Sequence, residues 1–531
     1  MDQVQRRARV GRSERSVRPR RFQFCRRRVD PRLALRAVLW LVTIVVAGAT
    51  VRALFYSLRW PLLEDTPLMH YIALGMLHGA VPYRDVRDMN MPGIYWIHEA
   101  VIGAFGTGDM AWRIFDLACL AAICLAAAGI LRRAGAEACA LGIALLAAWH
   151  LDAGPMNAGQ RDFIVVLPLM VAASRCVRFA ETRRRLDLAV AGFGIGLGIL
   201  IKPTCVLVPA LLIPALFASG RRDLGEIASD ALWIAIPIVA VLAAATAMLA
   251  SEGAIGPFID GWRGFILPVY SKLKDSSPTL MESASRIGVR LLPCMLLVAA
   301  SWAFGANSGS RHVHFVLGAF AAWGFLSFLL QDKGWFYHSY PWAMFTTVWG
   351  VSAAGDLLAS ESVTAQYAAM VVACSLPLMV MHGGRLVGPP GSDQQVVPFA
   401  RFIARDLSRL IGPGDLVQTM DTTDGAIHAL LLLNVRQPTP FIYDWMLLAG
   451  GDTPFRRAAR AEFMAKMTAA PPKAIVITNQ QWPEPSHGYT RVGSWKEFND
   501  FLLRSYTLRS VMRETPKRKS SRGYLIYVRN G

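Results

Sequence analysis

Cysteine is absent after residue 374, and none of the eight cysteines (25, 119, 124, 139, 176, 205, 294 and 374) pairs with another as CxxC. A disulfide framework and a cysteine metal site are therefore not implied. Charge is also scarce, at 18% of residues against 54% hydrophobic, and the mean hydropathy is positive. Together with repeated long apolar runs, this excludes a single soluble core and points to a chain that crosses a membrane many times. The net charge of +19 does not imply nucleic acid, because residues 1–36 alone hold thirteen Arg against Asp2, Glu14 and Asp30. That tail reads as a cytoplasmic anchor on anionic lipid. It runs without a small-residue cleavage site into the apolar stretch Ala37 to Leu58, which reads as an uncleaved first helix.

Hydropathy and the positive-inside rule predict eleven spans, near 37–58, 110–131, 138–151, 163–177, 188–201, 206–218, 231–250, 287–304, 313–330, 341–354 and 367–381. Arg132 and Arg133, Arg178 with Arg183 to Arg185, Arg221 and Arg222, and Arg311 then fall in successive loops on the side of the tail. The other side receives 59–109, 152–162, 202–205, 251–286, 331–340 and everything after Met381. Three regions are expected: a basic tail over 1–36, a membrane part over 37–385, and an outer domain over 386–531. The glycines at 192, 194, 196 and 198 precede Lys202-Pro203, but no GK[ST] follows, so they read as close-packing helix faces rather than a phosphate loop.

The first outer loop is the most charged stretch beside the membrane, carrying Glu64, Asp65, Asp85 and Asp88 with Arg84 and Arg87. Charges kept there invite a functional reading. Thr66 is expected to cap a surface helix with Pro67 at its first position, and 93–105 reads as a second interfacial helix. If 93–105 crossed the membrane, every later assignment would invert. Beyond Gly391, an amphipathic helix (Phe399, Ile403, Leu407, Leu410), strands at 415–420, 473–478, 510–513 and 524–528, and a capping box Ser494-x-x-Glu497 predict a small α/β domain outside the membrane.

Asp65 at a helix start on the membrane surface suits a general base, although Glu64 and Asp65 also complement the positive helix end. Gln160-Arg161-Asp162, Lys202, and Lys333 with Trp335, Tyr337 and His338 fall on the same side. Arg161, Lys202 and Lys333 suit a phosphate, and the aromatic rings suit a sugar or a prenyl chain. A belt of snorkelling lysines and interfacial rings would use the same residue types. Asp116, one turn after Arg113, reads as half of a structural ion pair.

The order Asp65, Tyr71, Gly79-x-x-Pro82-Tyr83-x-Asp85, Pro92 after a first span resembles the first outer loop of the GT-C membrane glycosyltransferases. The similar branch is that of the protein O-mannosyltransferases and the lipid A aminoarabinose transferases. Gln160-Arg161-Asp162, Lys202-Pro203 and Lys333-x-x-x-Tyr337-His338 resemble later landmarks, so the likeness covers about 37–345. It implies a polytopic α-helical GT-C protein with a C-terminal α/β domain, multi-pass in a bacterial plasma or inner membrane, N-terminus cytoplasmic and outer domain extracytoplasmic. It also implies a polyprenyl-phosphate sugar donor, inverting transfer on the outer face to a lipid, glycan or protein acceptor, and membrane lipids but no nucleic acid as partners.

By the resemblance, Asp65 matches the acid that deprotonates the acceptor, with Glu64 as the alternative because many relatives have Asp-Glu there. Lys202, Lys333 and His338 match positions near the leaving phosphate, and Tyr83, Asp85, Arg161, Asp162 and Tyr337 are further expected substrate contacts. Pro92-Gly93 replaces a frequent Pro-Pro. A divalent cation between Asp65 and Asp162 is left open. A competing reading, a transporter or flippase of a lipid-linked glycan, would call for matching halves with midplane charges, which the chain lacks.

Overall fold

A computed structural model describes residues 30–218, 223–273, 278–305, 310–381, 386, 399–480, 482, 488–512 and 522–531. The Arg-rich tail before Asp30, Arg221 and Arg222, Arg513, and the stretch where the outer domain was expected to begin lie outside the described residues.

Each of the eleven expected spans falls on helix. Eight are long and apolar enough to cross a membrane: Pro31–Ser57, Asp109–Ala134, Ala136–Ala153, Arg161–Thr182, Leu224–Ser251, Leu280–Ala303, Arg311–Gln331 and Val363–Val380. The other three fall on Arg185–Ile201, Val208–Ala218 and Tyr340–Ala359. In Tyr340–Ala359, 16 of 20 residues are buried, so this helix runs through the middle of the bundle and tolerates Ser, Thr and Gly that face other helices instead of lipid.

The glycine-spaced helix packs on both sides, as its spacing implies. A Cβ at Gly192 would run into the Ile234 backbone, and one at Gly194 would lie 2.6 Å from the Pro168 carbonyl oxygen. One face thus meets Leu224–Ser251 and the other Val166–Thr182. A third close approach explains Gly93: a Cβ there would sit 2.6 Å from the Leu200 carbonyl oxygen. With no side chain, the start of helix Pro92–Phe105 seats directly on the end of helix Arg185–Ile201, next to Lys202.

The first outer loop holds two short helices, Asp65–Leu77 and Pro92–Phe105. The second has 14 residues, about 21 Å at 1.5 Å per residue, short of a hydrocarbon core of about 30 Å. The first corrects the expected cap. It starts at Asp65 instead of after Thr66, with Glu64 as its N-cap residue at φ 53° and no side-chain cap; Thr66 is buried inside. Buried His70 and His98 meet between the two helices, Nδ1 to Nδ1 at 2.8 Å.

The C-terminal part is α/β. Strands β1 (Val417–Met420), β2 (Ala474–Thr478), β3 (Tyr506–Met512) and β4 (Tyr524–Arg529) form one sheet in the order β1-β2-β4-β3. β1 and β2 are parallel and the other pairs antiparallel. β2 reads Ala-Ile-Val-Ile-Thr and is buried throughout, as a central strand covered on both faces requires. The amphipathic helix forms as Phe399–Leu407. The capping box does not form: the last helix runs from Lys496 to Ser505 with Trp495 at its N-cap, while the Ser494 hydroxyl donates to the Arg491 carbonyl of the preceding turn.

Candidate active site

Asp65 lies where the surface helix begins, about a quarter exposed, and its carboxylate accepts a hydrogen bond from Arg161 Nη2 at 3.1 Å. Arg161 opens the short helix Arg161–Ile164, so the next residue, Asp162, points further in. There its carboxylate meets Lys202 Nζ at 2.7 Å. Lys202 can reach it because helix Arg185–Ile201 stops at Pro203 and leaves Lys202 in extended backbone. Gln331 completes the group, accepting from Lys202 and donating to Asp162.

Lys333 follows Asp332, a non-glycine residue at φ 48°. Its ammonium donates to the backbone carbonyls of Tyr270 and Leu273 and sits 4.4 Å from the centre of the Tyr270 ring. Glu64 before Asp65 and Asp332 before Lys333 are two of only five non-glycine residues at positive φ among those described. Such backbone is held at a cost of about 1–3 kcal/mol each and is concentrated where side chains must be aimed.

His338 packs edge-on to Tyr337, with ring centres 4.5 Å apart, and against Trp335. Burial, then the charges of Lys202, Arg161 and Lys333, hold its imidazole well below the ordinary range, so it is neutral at pH 7. Burial also pushes the Tyr337 phenol well up. Among the described residues, Arg161 Nε and His338 Nδ1 are buried without a hydrogen-bond partner, two polar atoms directed into this same group. Unpaired buried polar atoms are rare in folded proteins and are expected where a ligand supplies the partner.

Asp65, Arg161, Asp162, Lys202, Lys333, Tyr337 and His338 are therefore brought together. Asp85 is not: it pairs with Arg84 at the surface, accepts the Val81 N–H, and lines a cavity of about 290 Å³ that Asp65 does not border. Tyr83 is buried against Tyr95 and Phe258 and spends its hydroxyl on the Asn90 carbonyl. Glu64 is the N-cap residue before Asp65, and burial raises its pKa against the lowering charge of Arg522. Arg113 and Asp116 form the expected buried pair, joined by His150.

Tyr270 and Tyr443 were not singled out from sequence, and Asp88 and Gln331, which lie in the charged first loop and beside Lys333, were not among the expected substrate contacts. Asp88 accepts hydrogen bonds from Tyr95 and Asn90, and burial raises its pKa in spite of them. A shared cation finds no ready cradle. Asp65 and Asp162 already hold Arg161 and Lys202, and no three His, Cys, Asp or Glu converge among the described residues. What the group offers is one accessible carboxylate backed by buried cations.

Residues 90–249 match the family model described as dolichyl-phosphate-mannose-protein mannosyltransferase. No curated protein matches the chain by sequence. The apo structure of ArnT from Cupriavidus metallidurans is similar over 92% of this chain and 98% of its own, with TM-score 0.57 and 12% identity. The same protein bound to undecaprenyl phosphate matches over the same shares, with TM-score 0.50 and 13% identity. The family match supports glycosyl transfer as the class of activity, and the likeness to ArnT establishes the fold. The chain is accordingly a multi-pass membrane protein that shares the GT-C glycosyltransferase fold of ArnT, with a stretch, residues 90–249, similar to the protein mannosyltransferase family model.

Proposed function

We propose that this protein transfers a sugar from a polyprenyl-phosphate donor to an acceptor hydroxyl on an envelope lipid, glycan or protein, at the outer face of a bacterial inner membrane. The observation that carries this reading is the line Asp65, Arg161, Asp162, Lys202: an accessible carboxylate at one end and buried cations behind it. ArnT, with which the chain shares its fold, has been crystallised with undecaprenyl phosphate.

In this reading Asp65 takes the proton of the acceptor hydroxyl as the freed oxygen attacks the anomeric carbon. The bond from that carbon to the phosphate oxygen breaks on the opposite face, inverting the centre, and the prenyl phosphate leaves with the electron pair. Arg161, Lys202 and Lys333 stabilise the charge gathering on that phosphate, while the protein positions the two reactants. The hydrogen bond from Arg161 Nη2, at 3.1 Å, holds the Asp65 carboxylate in place at the start of its helix.

The test is transfer of radiolabelled sugar from a panel of undecaprenyl-phosphate sugars to membrane extracts. Label moved by the wild type but not by Asp65→Asn supports the reading. Transfer retained by Asp65→Asn removes Asp65 as the base, and no transfer from any donor overturns the reaction.

A further inference from the structure

The segment Gln437–Trp445 of the C-terminal part is strapped onto the first outer loop. The Gln437 N–H donates to the Tyr71 hydroxyl at 3.0 Å, and the Arg87 N–H donates to the Pro440 carbonyl at 2.7 Å. Arg87 also forms a backbone bridge with Phe441 and a salt bridge to Glu462 at 3.0 Å. Two points of the loop that carries Asp65, Tyr71 and Arg87, are thereby tied to one segment of the C-terminal part.

The strap carries two rings into the candidate site. Tyr443 is 2% exposed, its phenol against Asp88 and within electrostatic reach of Asp65 and Arg161. Trp445 is 3% exposed and packs edge-on to Tyr270, ring centres 5.3 Å apart, on the ring that underlies the Lys333 ammonium. Tyr443 and Trp445 also touch each other, at 4.8 Å. Among the described residues, the Trp445 indole N–H has no hydrogen-bond partner despite its burial.

We infer that Tyr443 and Trp445 form the subsite for the sugar ring of the lipid-linked donor, so that the C-terminal part is a component of the active site. This rests on the reading above. A sugar has C–H faces that suit aromatic rings and hydroxyls that suit a phenol and an indole N–H. Position selects the donor's sugar: Trp445 packs on Tyr270, whose ring underlies the Lys333 ammonium on the phosphate side, and among the described residues its buried indole N–H is left for a ligand hydroxyl.

The test is equilibrium binding of undecaprenyl phosphate and of undecaprenyl-phosphate hexoses and pentoses to the full-length protein. Trp445→Phe keeps a ring in the core and removes only the indole N–H, and Tyr443→Phe removes only the hydroxyl. Loss of one such hydrogen bond is expected to weaken binding of the sugar-bearing lipid about fivefold, leaving bare undecaprenyl phosphate unchanged. Unchanged affinity for the sugar-bearing lipid in both variants, or an equal fall for both lipids, overturns the subsite. Wild-type protein that binds neither lipid overturns the lipid-linked donor itself, and the subsite with it.

Discussion

Asp162 and Lys202 face each other at 2.7 Å, the carboxylate fully buried and the lysine side chain 9% exposed. Separated in sequence by the helices Val166–Thr182 and Arg185–Ile201, they meet because one lies where a short helix opens and the other where a helix closes. A buried pair of this kind is costly to break from one side, by about 3–5 kcal/mol, since the remaining charge is left without compensation. Lys202→Met is therefore expected to lower the thermal midpoint of the detergent-solubilised protein sharply, and Lys202→Met with Asp162→Asn to recover part of that loss. A double variant less stable than either single one would show that the pair does not act as a unit.

Asp65 and Glu64 are neighbours in sequence with different surroundings, and their variants should separate. Asp65→Asn is expected to reduce turnover by about 10² to 10⁴, the range for losing a general base. Glu64→Gln should retain most activity, because it is Asp65 whose carboxylate accepts the hydrogen bond from Arg161. The opposite ranking in steady-state rates would transfer the role of base to Glu64.

Removing the Lys333 ammonium should be felt by the donor. Charge-assisted hydrogen bonds contribute about 1.5–3 kcal/mol, so Lys333→Ala is expected to raise the donor KM about tenfold or more while the acceptor KM stays close to wild type. Donor saturation that does not move would return Lys333 to an anchoring role at the membrane surface.

Gly93 offers a stability test of the packing beside Lys202. Gly93→Ala puts a methyl group 2.6 Å from the Leu200 carbonyl oxygen, so backbone must shift; overpacking of this kind costs about 1–3 kcal/mol. Gly103→Ala, with nothing nearer than 3.8 Å, serves as the control in the same helix. Comparable thermal midpoints for the two variants would refute the close approach.

His428 should make the C-terminal part acid-sensitive. Burial lowers its pKa from 6.5 to about 4, against the opposing pull of Asp109 and with a smaller push from Arg401. Folded protein thus stays neutral at His428 where the unfolded chain takes up a proton, so stability falls as pH drops from about 6.5 toward 4, by up to about 3 kcal/mol. His428→Gln should flatten that part of a denaturation profile measured across these pH values. A slope unchanged by the substitution would assign the acid sensitivity to other groups.

The sequence alone determined the apolar runs, the two short helices of the first outer loop and the α/β character of the C-terminal part. Those features follow from local rules: hydropathy over a span length, the period of an apolar stripe, and proline and glycine at helix ends. The glycine-spaced helix was legible for the same reason, since four-residue spacing puts Gly192 and Gly196 on one face whatever that face meets. Capping was less legible. Ser494 and Glu497 have the right spacing, but an upstream turn engages Ser494, and Glu64 rather than Thr66 precedes the surface helix. Only tertiary structure decided which of two adjacent carboxylates looks toward Arg161 and that Asp85 remains at the surface. It also decided that Tyr443, which belongs to no motif, sits beside Asp88. These are long-range choices: residues hundreds of positions apart are juxtaposed by helix packing and by a strap between domains, and no local pattern along the chain encodes which of them will meet.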